Sequence, residues 1–276
     1  MKLLPTVLCL SSIAASALAP ARVVAAEVDA RPPDRLTLSA SGSKQIDVAN
    51  GGGGSLNWLH YFSPDAVFGL GAEHQFIADA RLDFGSVRGA WSRGEPGSKF
   101  TLFAEANYGK VDDGRNKSDY SVAALGLSRA LSNKFYVELE SRQIDIGTTH
   151  GNLPKLGLTY VWSTRVLTYL SYAHSAGGNL GTELTTARIE YYAQHVNLKL
   201  GAAGGRAAVV VVCPNCGAFR VGLPPVNSTE GFAGVGKTFK RGEVQLLGDY
   251  LKTGEIKKVT LTLSFTAYLG SRGRTQ

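Results

Sequence analysis

Alternation of apolar and polar residues at a period of two recurs from about residue 35 to the end of the chain. It predicts an all-β protein. An apolar leader ahead of it, and connections that alternate between tight and long, narrow that class to a transmembrane antiparallel up-and-down β-barrel. About fourteen strands fit, with twelve as the smaller count, short turns facing the periplasm and long loops facing outward.

The leader comes first. Lys2 supplies a positive charge ahead of the apolar stretch 3–18. Small-residue cleavage sites follow at Ala17-Leu18-Ala19 and Val24-Ala25-Ala26. Pro20 obstructs the first, so cleavage is expected after Ala26, giving a signal peptide over 1–26 and a short periplasmic N-terminus over 27–34. The barrel is expected over 35–270, with a tail over 271–276. Loss of Lys2 and Arg22 lowers the net charge from +7 to +5, from 27 basic and 22 acidic residues.

The strands follow in order. Expected spans are 35–43, 54–62, 66–76, 80–91, 99–109, 119–130, 133–144, 155–163, 165–174, 183–193, 195–203, 231–239, 242–252 and 257–269. The last is the clearest: Val259, Leu261, Leu263, Phe265 and Ala267 alternate with Thr260, Thr262, Ser264 and Thr266. Tight turns are expected at 63–65, 131–132, 163–164, 193–195 and 240–242, and longer loops at 109–118, 145–154, 174–182 and 204–230. Strand lengths of this order cross the hydrocarbon layer at a tilt. A soluble β-sandwich rarely needs so many near-equal strands, and no repeat of about 40 residues suggests a propeller. Trp58, Tyr61, Phe62, Tyr160, Trp162, Tyr191 and Tyr192 fall at strand ends, where an interfacial girdle belongs. Gly is abundant, 33 of 276 residues, as crowded strands and turns require. No apolar run long enough for a membrane helix follows the leader.

Polar residues on the alternating face must avoid lipid, because a charge at mid-depth costs about 2–4 kcal/mol. The lumen is therefore expected to receive Glu73, Asp83, Glu105, Glu138, Glu140, Arg142, Arg188, Glu190, Lys199, Lys237, Glu243 and Asp249. These line either a mixed-charge pore or a closed network that braces the interior. A barrel of this strand count is wide enough for a channel. Lys110, Arg115, Lys117, Arg206, Arg220, Lys240, Arg241, Lys252, Lys257 and Lys258 are assigned to turns and loops. A basic rim suits outer-membrane lipid and phosphate-rich lipopolysaccharide as partners. No basic stripe with interleaved aromatics points to nucleic acid.

Three motifs invite a chemical reading. Gly231, Gly236, Lys237 and Thr238 satisfy the phosphate-loop spacing, but a turn and a strand follow where a helix is needed, so a Gly-rich barrel strand is expected. Cys213 and Cys216 lack further metal ligands and are expected to form a disulfide in the longest loop; no metal site and no cofactor is expected. His60, His74, His150, His174 and His195 are scattered, with no nucleophile elbow, so an enzyme is not expected. A lipid-modifying hydrolase using His74 or His174 is the third reading, after a channel and after a non-conducting barrel that binds carbohydrate or lipid.

The Leu56-Asn57-Trp58 strand entering the 63–65 turn, and the terminal hairpin 242–250 with 259–269, carry a resemblance. The mature chain resembles YaiO-like outer-membrane barrels and, more loosely, the barrel half of bacterial exopolysaccharide exporters. The resemblance implies a Gram-negative envelope protein tied to transport or polymer export. Phe265 and Tyr268 resemble the aromatic end-signal of bacterial outer-membrane proteins, which implies recognition by the barrel assembly machinery, although eight residues follow Tyr268 where a terminal aromatic is usual. The helical repeats of exporters are missing, so export would need a separate periplasmic partner.

Overall fold

A computed structural model describes residues 6–8, 32–46, 49–78, 80–95, 97–112, 117–147, 149–207, 210–212, 219–221 and 226–270. Fourteen strands form the barrel. They are β1 Asp34–Gln45, β2 Ala49–Ser63, β3 Ala66–Ile77, β4 Ala80–Arg93, β5 Phe100–Asp112, β6 Lys117–Ala130 and β7 Phe135–Ile146. The second half is β8 Thr149–Val161, β9 Val166–His174, β10 Glu183–Tyr192, β11 Val196–Ala207, β12 Val226–Phe239, β13 Gly242–Thr253 and β14 Ile256–Leu269. Each pairs antiparallel with its sequence neighbour, and β14 closes on β1 from Lys258↔Gln45 to Leu269↔Asp34. The even count leaves both barrel ends at the rim that carries the even-numbered connections.

All fourteen expected strands are present, and their bounds differ mainly at the opposite rim. There β2 begins at Ala49, β8 at Thr149 and β12 at Val226, each several residues earlier than expected. The expected loop 145–154 is therefore largely strand, with Ile146↔Thr149 the last pair of a tight hairpin. Long connections remain at 175–182 and 208–225. The reason is physical. Alternation that places small or polar residues on both faces gives no amphipathic signal, yet ladder hydrogen bonds still form. Gly51, Gly52, Gly53 and Gly54 in β2 are the clearest case.

Exposed large apolar residues cover the outside as a continuous belt, including Leu36, Leu38, Leu56, Leu125, Leu139, Leu198, Leu200, Leu261, Leu263 and Phe265. Along β14, Val259 to Leu269 rises about 34 Å at roughly 3.4 Å per residue. At a tilt of about 40° that is close to the apolar band of about 25 Å that a membrane barrel presents. Trp58, Phe62, Tyr160, Trp162 and Tyr191 share this face, whereas the alternation turns Tyr61 and Tyr192 inward. Among the described residues no helix is long and apolar enough to cross a membrane.

Residues 6–8 pair with 210–212, which pair in turn with 219–221, as a small separate sheet. Its first strand lies within the expected leader. Cys213, Cys216, most of the leader and the tail 271–276 lie outside the described residues, and so does the disulfide expected of the cysteines.

Candidate functional site: the barrel lumen

Inward positions are fixed by the parity of each strand against its exposed outer face. On β7, Glu138, Glu140 and Arg142 alternate with exposed Leu139, Ser141 and Gln143. Lys155 on β8 stands opposite Glu140 in the ladder. Its ammonium lies 2.9 Å from Glu138 Oε1 and 2.7 Å from Glu140 Oε2. Arg142 Nε donates to Glu140 Oε1 at 3.0 Å. The Tyr169 hydroxyl donates to Glu138 at 3.4 Å, and the Arg188 guanidinium lies 5.0 Å from the centroid of the Tyr169 ring. Arg188 Nε in turn lies 2.7 Å from Glu190 Oε1, an ion pair without hydrogen-bond alignment, and Tyr192 donates to the other oxygen of Glu190. These contacts run unbroken from β7 to β10. Lone buried charges would be costly, so each is held by an opposite partner.

A second polar path crosses the opposite seam. Asn197 donates to Glu243 at 2.6 Å, and the Tyr268 hydroxyl donates to the same carboxylate at 3.5 Å. Arg35 lies 5.8 Å from the centroid of the Tyr268 ring and 5.6 Å from that of Tyr61. Between these paths the wall of β14, β1 and β2 is hydroxylic and small. Thr37 bonds Thr266 at 2.9 Å, and Ser39 donates to Ser264 at 3.1 Å. Thr260, Thr262, Ser41, Ser43 and Ser55 continue the same inward rows.

Near the rim of the odd-numbered connections the lumen becomes apolar. Leu82, Val111, Tyr120, Val122, Ile144 and Ile146 point inward from β4 to β7 and cluster with Leu180 of the 175–182 loop. The loop leans on β8: Ala176 N–H donates to the Asn152 carbonyl at 2.8 Å, and Asn179 N–H to that of His150 at 2.9 Å. Glycines make room for inward aromatics elsewhere. Phe103 lies across Gly126 on the next strand and Phe232 across Gly201, so that a Cβ at either glycine would strike the ring.

Ten of the twelve residues expected in the lumen face it: Glu73, Glu105, Glu138, Glu140, Arg142, Arg188, Glu190, Lys199, Glu243 and Asp249. Two do not. Asp83 faces outward, 2.5 Å from His74 Nδ1 and opposite Lys110 in the ladder. Here the pattern inverts because Leu82 and Phe84 belong to the inner apolar cluster, and the outward residues stand above the apolar belt. Lys237 also faces outward, at the other rim, with Nζ 5.6 Å from the Phe239 ring centroid. Its stem lies on the wall while its ammonium reaches the interface. The phosphate-loop spacing around it is continuous strand, as expected.

Five inward charges were not anticipated: Arg35, Arg88, Lys155, Glu230 and Lys258. The strand parity of Arg88 beside exposed Val87 could have found it. The same parity applies to Arg35 and Lys155, which open the expected strands 35–43 and 155–163, whereas Glu230 was placed in the expected loop 204–230 and Lys258 was assigned to a rim. The histidines do not converge: His60 pairs with Asp34 at 2.8 Å, His74 pairs with Asp83, and His174 stacks on Tyr172.

A closed fourteen-strand antiparallel barrel with an apolar exterior and a polar interior defines the class of protein. Its fold is shared with solved outer-membrane channels. The CymD monoaromatic hydrocarbon channel superposes with TM-score 0.61 at 12% identity, over 88% of this chain and 90% of that one. The deltaS2 mutant of the TodX monoaromatic hydrocarbon channel gives 0.55 at 11% identity, over 91% and 93%. The crystal structure of the Pseudomonas putida toluene transporter TodX gives 0.53 at 10% identity, over 85% and 89%. No protein-family model and no curated protein matches the sequence.

Proposed function

We propose that the protein is a channel or uptake pore of the bacterial outer membrane, with a mixed-charge lumen. The carrying observation is the small, hydroxyl-lined wall of β14, β1 and β2, which faces a charged wall whose residues are engaged with one another. A wall of small hydroxyl side chains is suited to passing water and small solutes. The inward charges nearly cancel. Arg35, Arg88, Arg142, Lys155, Arg188, Lys199 and Lys258 stand against Glu73, Glu105, Glu138, Glu140, Glu190, Glu230, Glu243 and Asp249. Weak ion selectivity follows. Reconstitution into planar bilayers tests both statements: stepwise conductance with a reversal potential near zero in a salt gradient is expected. Absence of steps at any voltage would remove the channel reading.

The leader is removed after Ala26, the assembly machinery inserts the barrel, and lipopolysaccharide surrounds its outer rim. YaiO-like kinship and a link to polymer export, through a periplasmic partner, rest on the β2 strand and the terminal hairpin alone. Mass spectrometry of the mature N-terminus, with Glu27 as the expected first residue, checks the cleavage.

A further inference from the structure

The outer wall carries an unbalanced cluster of cations. Lys252 on β13 stands directly opposite Lys257 on β14, and Lys44 on β1 lies one strand further on, opposite Val259. All three are exposed and share the outward parity of Tyr250, Val259 and Leu261. Their ladder neighbours on the flanking strands are Thr229 and Asn50, both uncharged. Glu255 lies in the turn between β13 and β14, and among the described residues none of the three lysines forms an ion pair. Like charges directly opposite on a sheet repel, and an anion bound across the row relieves that repulsion. The other charged sector of this rim behaves differently. There Lys110 faces Asp83 and Asp119 in the ladder, Lys117 pairs with Asp112, and the charges answer one another within the protein.

Directly below the lysines the wall is apolar and indented. Gly42 and Gly248 flank Leu261 in register, and Gly231 stands opposite Tyr250. A Cβ at Gly42 or Gly231 would meet nothing within 4 Å, and at Gly248 nothing nearer than 3.9 Å. Packing does not demand glycine at these positions. What their missing side chains create is space on the outer face, one to two rows beneath the cations.

We infer that Lys44, Lys252 and Lys257, with the indentation at Gly42, Gly231 and Gly248, form a docking site for the phosphorylated glycolipid headgroup and an acyl chain of lipopolysaccharide. A phosphate neutralises the lysine row at headgroup depth, and a chain lies in the groove beside Leu261. The inference rests on the outer-membrane reading above, which places this rim in the outer leaflet. It does not depend on whether the lumen conducts.

The test uses delipidated, refolded barrel in detergent. Bisphosphorylated lipid A, phosphatidylglycerol and inorganic phosphate are added separately, with bound lipid counted by native mass spectrometry and the unfolding midpoint measured. Lipid A is expected to be retained and to raise the midpoint, with the other two ineffective at equal concentration. The triple variant Lys44→Gln, Lys252→Gln, Lys257→Gln should bind lipid A roughly tenfold more weakly or worse. A second variant, Gly42→Leu with Gly248→Leu, keeps every charge and fills the indentation; it should also lose lipid A. Folding of each variant is checked by its heat-modifiable gel mobility. Undiminished binding by the charge variant overturns the inference, as does equal retention of phosphatidylglycerol or a response to phosphate alone. Conductance recorded on the same samples separates the two readings: a silent barrel that retains lipid A defeats the channel alone. A protein absent from the outer-membrane fraction of cells defeats the shared premise.

Discussion

The inner faces of β14–β1 and of β7–β8 obey the same period of two, yet they are opposite in chemistry. The first is a ladder of hydroxyls that bond across the seam, Thr37 with Thr266 and Ser39 with Ser264. The second is ionic, with Glu138, Glu140, Arg142 and Lys155 locked together and Glu140 and Arg142 nearly inaccessible. Both faces keep polar groups away from lipid. Only the ionic one needs every member in place, because a charge deprived of its partner in a low dielectric is costly. The hydroxyl wall tolerates the loss of a member.

The largest effect is therefore expected on the ionic side. Arg142→Ala removes one of the two cations that hold Glu140 and should destabilise the barrel by roughly 3 kcal/mol. The midpoint of urea unfolding in detergent measures it. An unchanged midpoint would mean that water, not the network, satisfies these groups. On the other wall, Ser41→Trp should leave the midpoint nearly unaltered and, for the proposed channel, cut single-channel conductance by roughly half, because it fills the hydroxyl-lined side of the lumen. Equal conductance in wild type and variant would move the path elsewhere.

A finer distinction concerns the hydroxyl ladder. Thr37→Val leaves Thr266 without its side-chain partner and should cost about 1 kcal/mol. The double change Thr37→Val, Thr266→Val should restore most of that, since removing both partners leaves nothing unsatisfied. Additive losses would contradict the ladder as an energetic unit.

The same contrast explains what was legible in the sequence. Every strand was visible where apolar and polar residues alternate, and Val259 to Ala267 is the plainest example. Ionic residues among apolar neighbours, such as Glu138 and Glu140 against Leu139, could be assigned to the lumen by parity alone. Ser39 and Ser41 are just as inward, but a serine carries too small a penalty in either direction to be assigned by charge. The inner apolar cluster was illegible for a different reason. Leu82, Val111 and Ile144 look lipid-facing until the barrel is closed and Leu180 is brought onto them. That cluster is also why Asp83 was misplaced: the rule that apolar residues face outward fails where the strand rises past the belt.

The smallest expected effect tests that failure directly. Asp83→Asn should change the unfolding midpoint by no more than about 0.5 kcal/mol equivalent, because the side chain is exposed and its partner His74 is exposed beside it. Lys237→Leu should be equally mild, for the ammonium ends at an interface and only its stem covers the wall. Neither substitution should alter conductance or reversal potential, since neither side chain reaches the lumen. Arg188→Met is the comparator: of similar formal chemistry to Lys237→Leu, it should shift the reversal potential toward cation selectivity by exposing Glu190. A shift produced by Lys237→Leu and not by Arg188→Met would mean that the two faces of the wall have been exchanged.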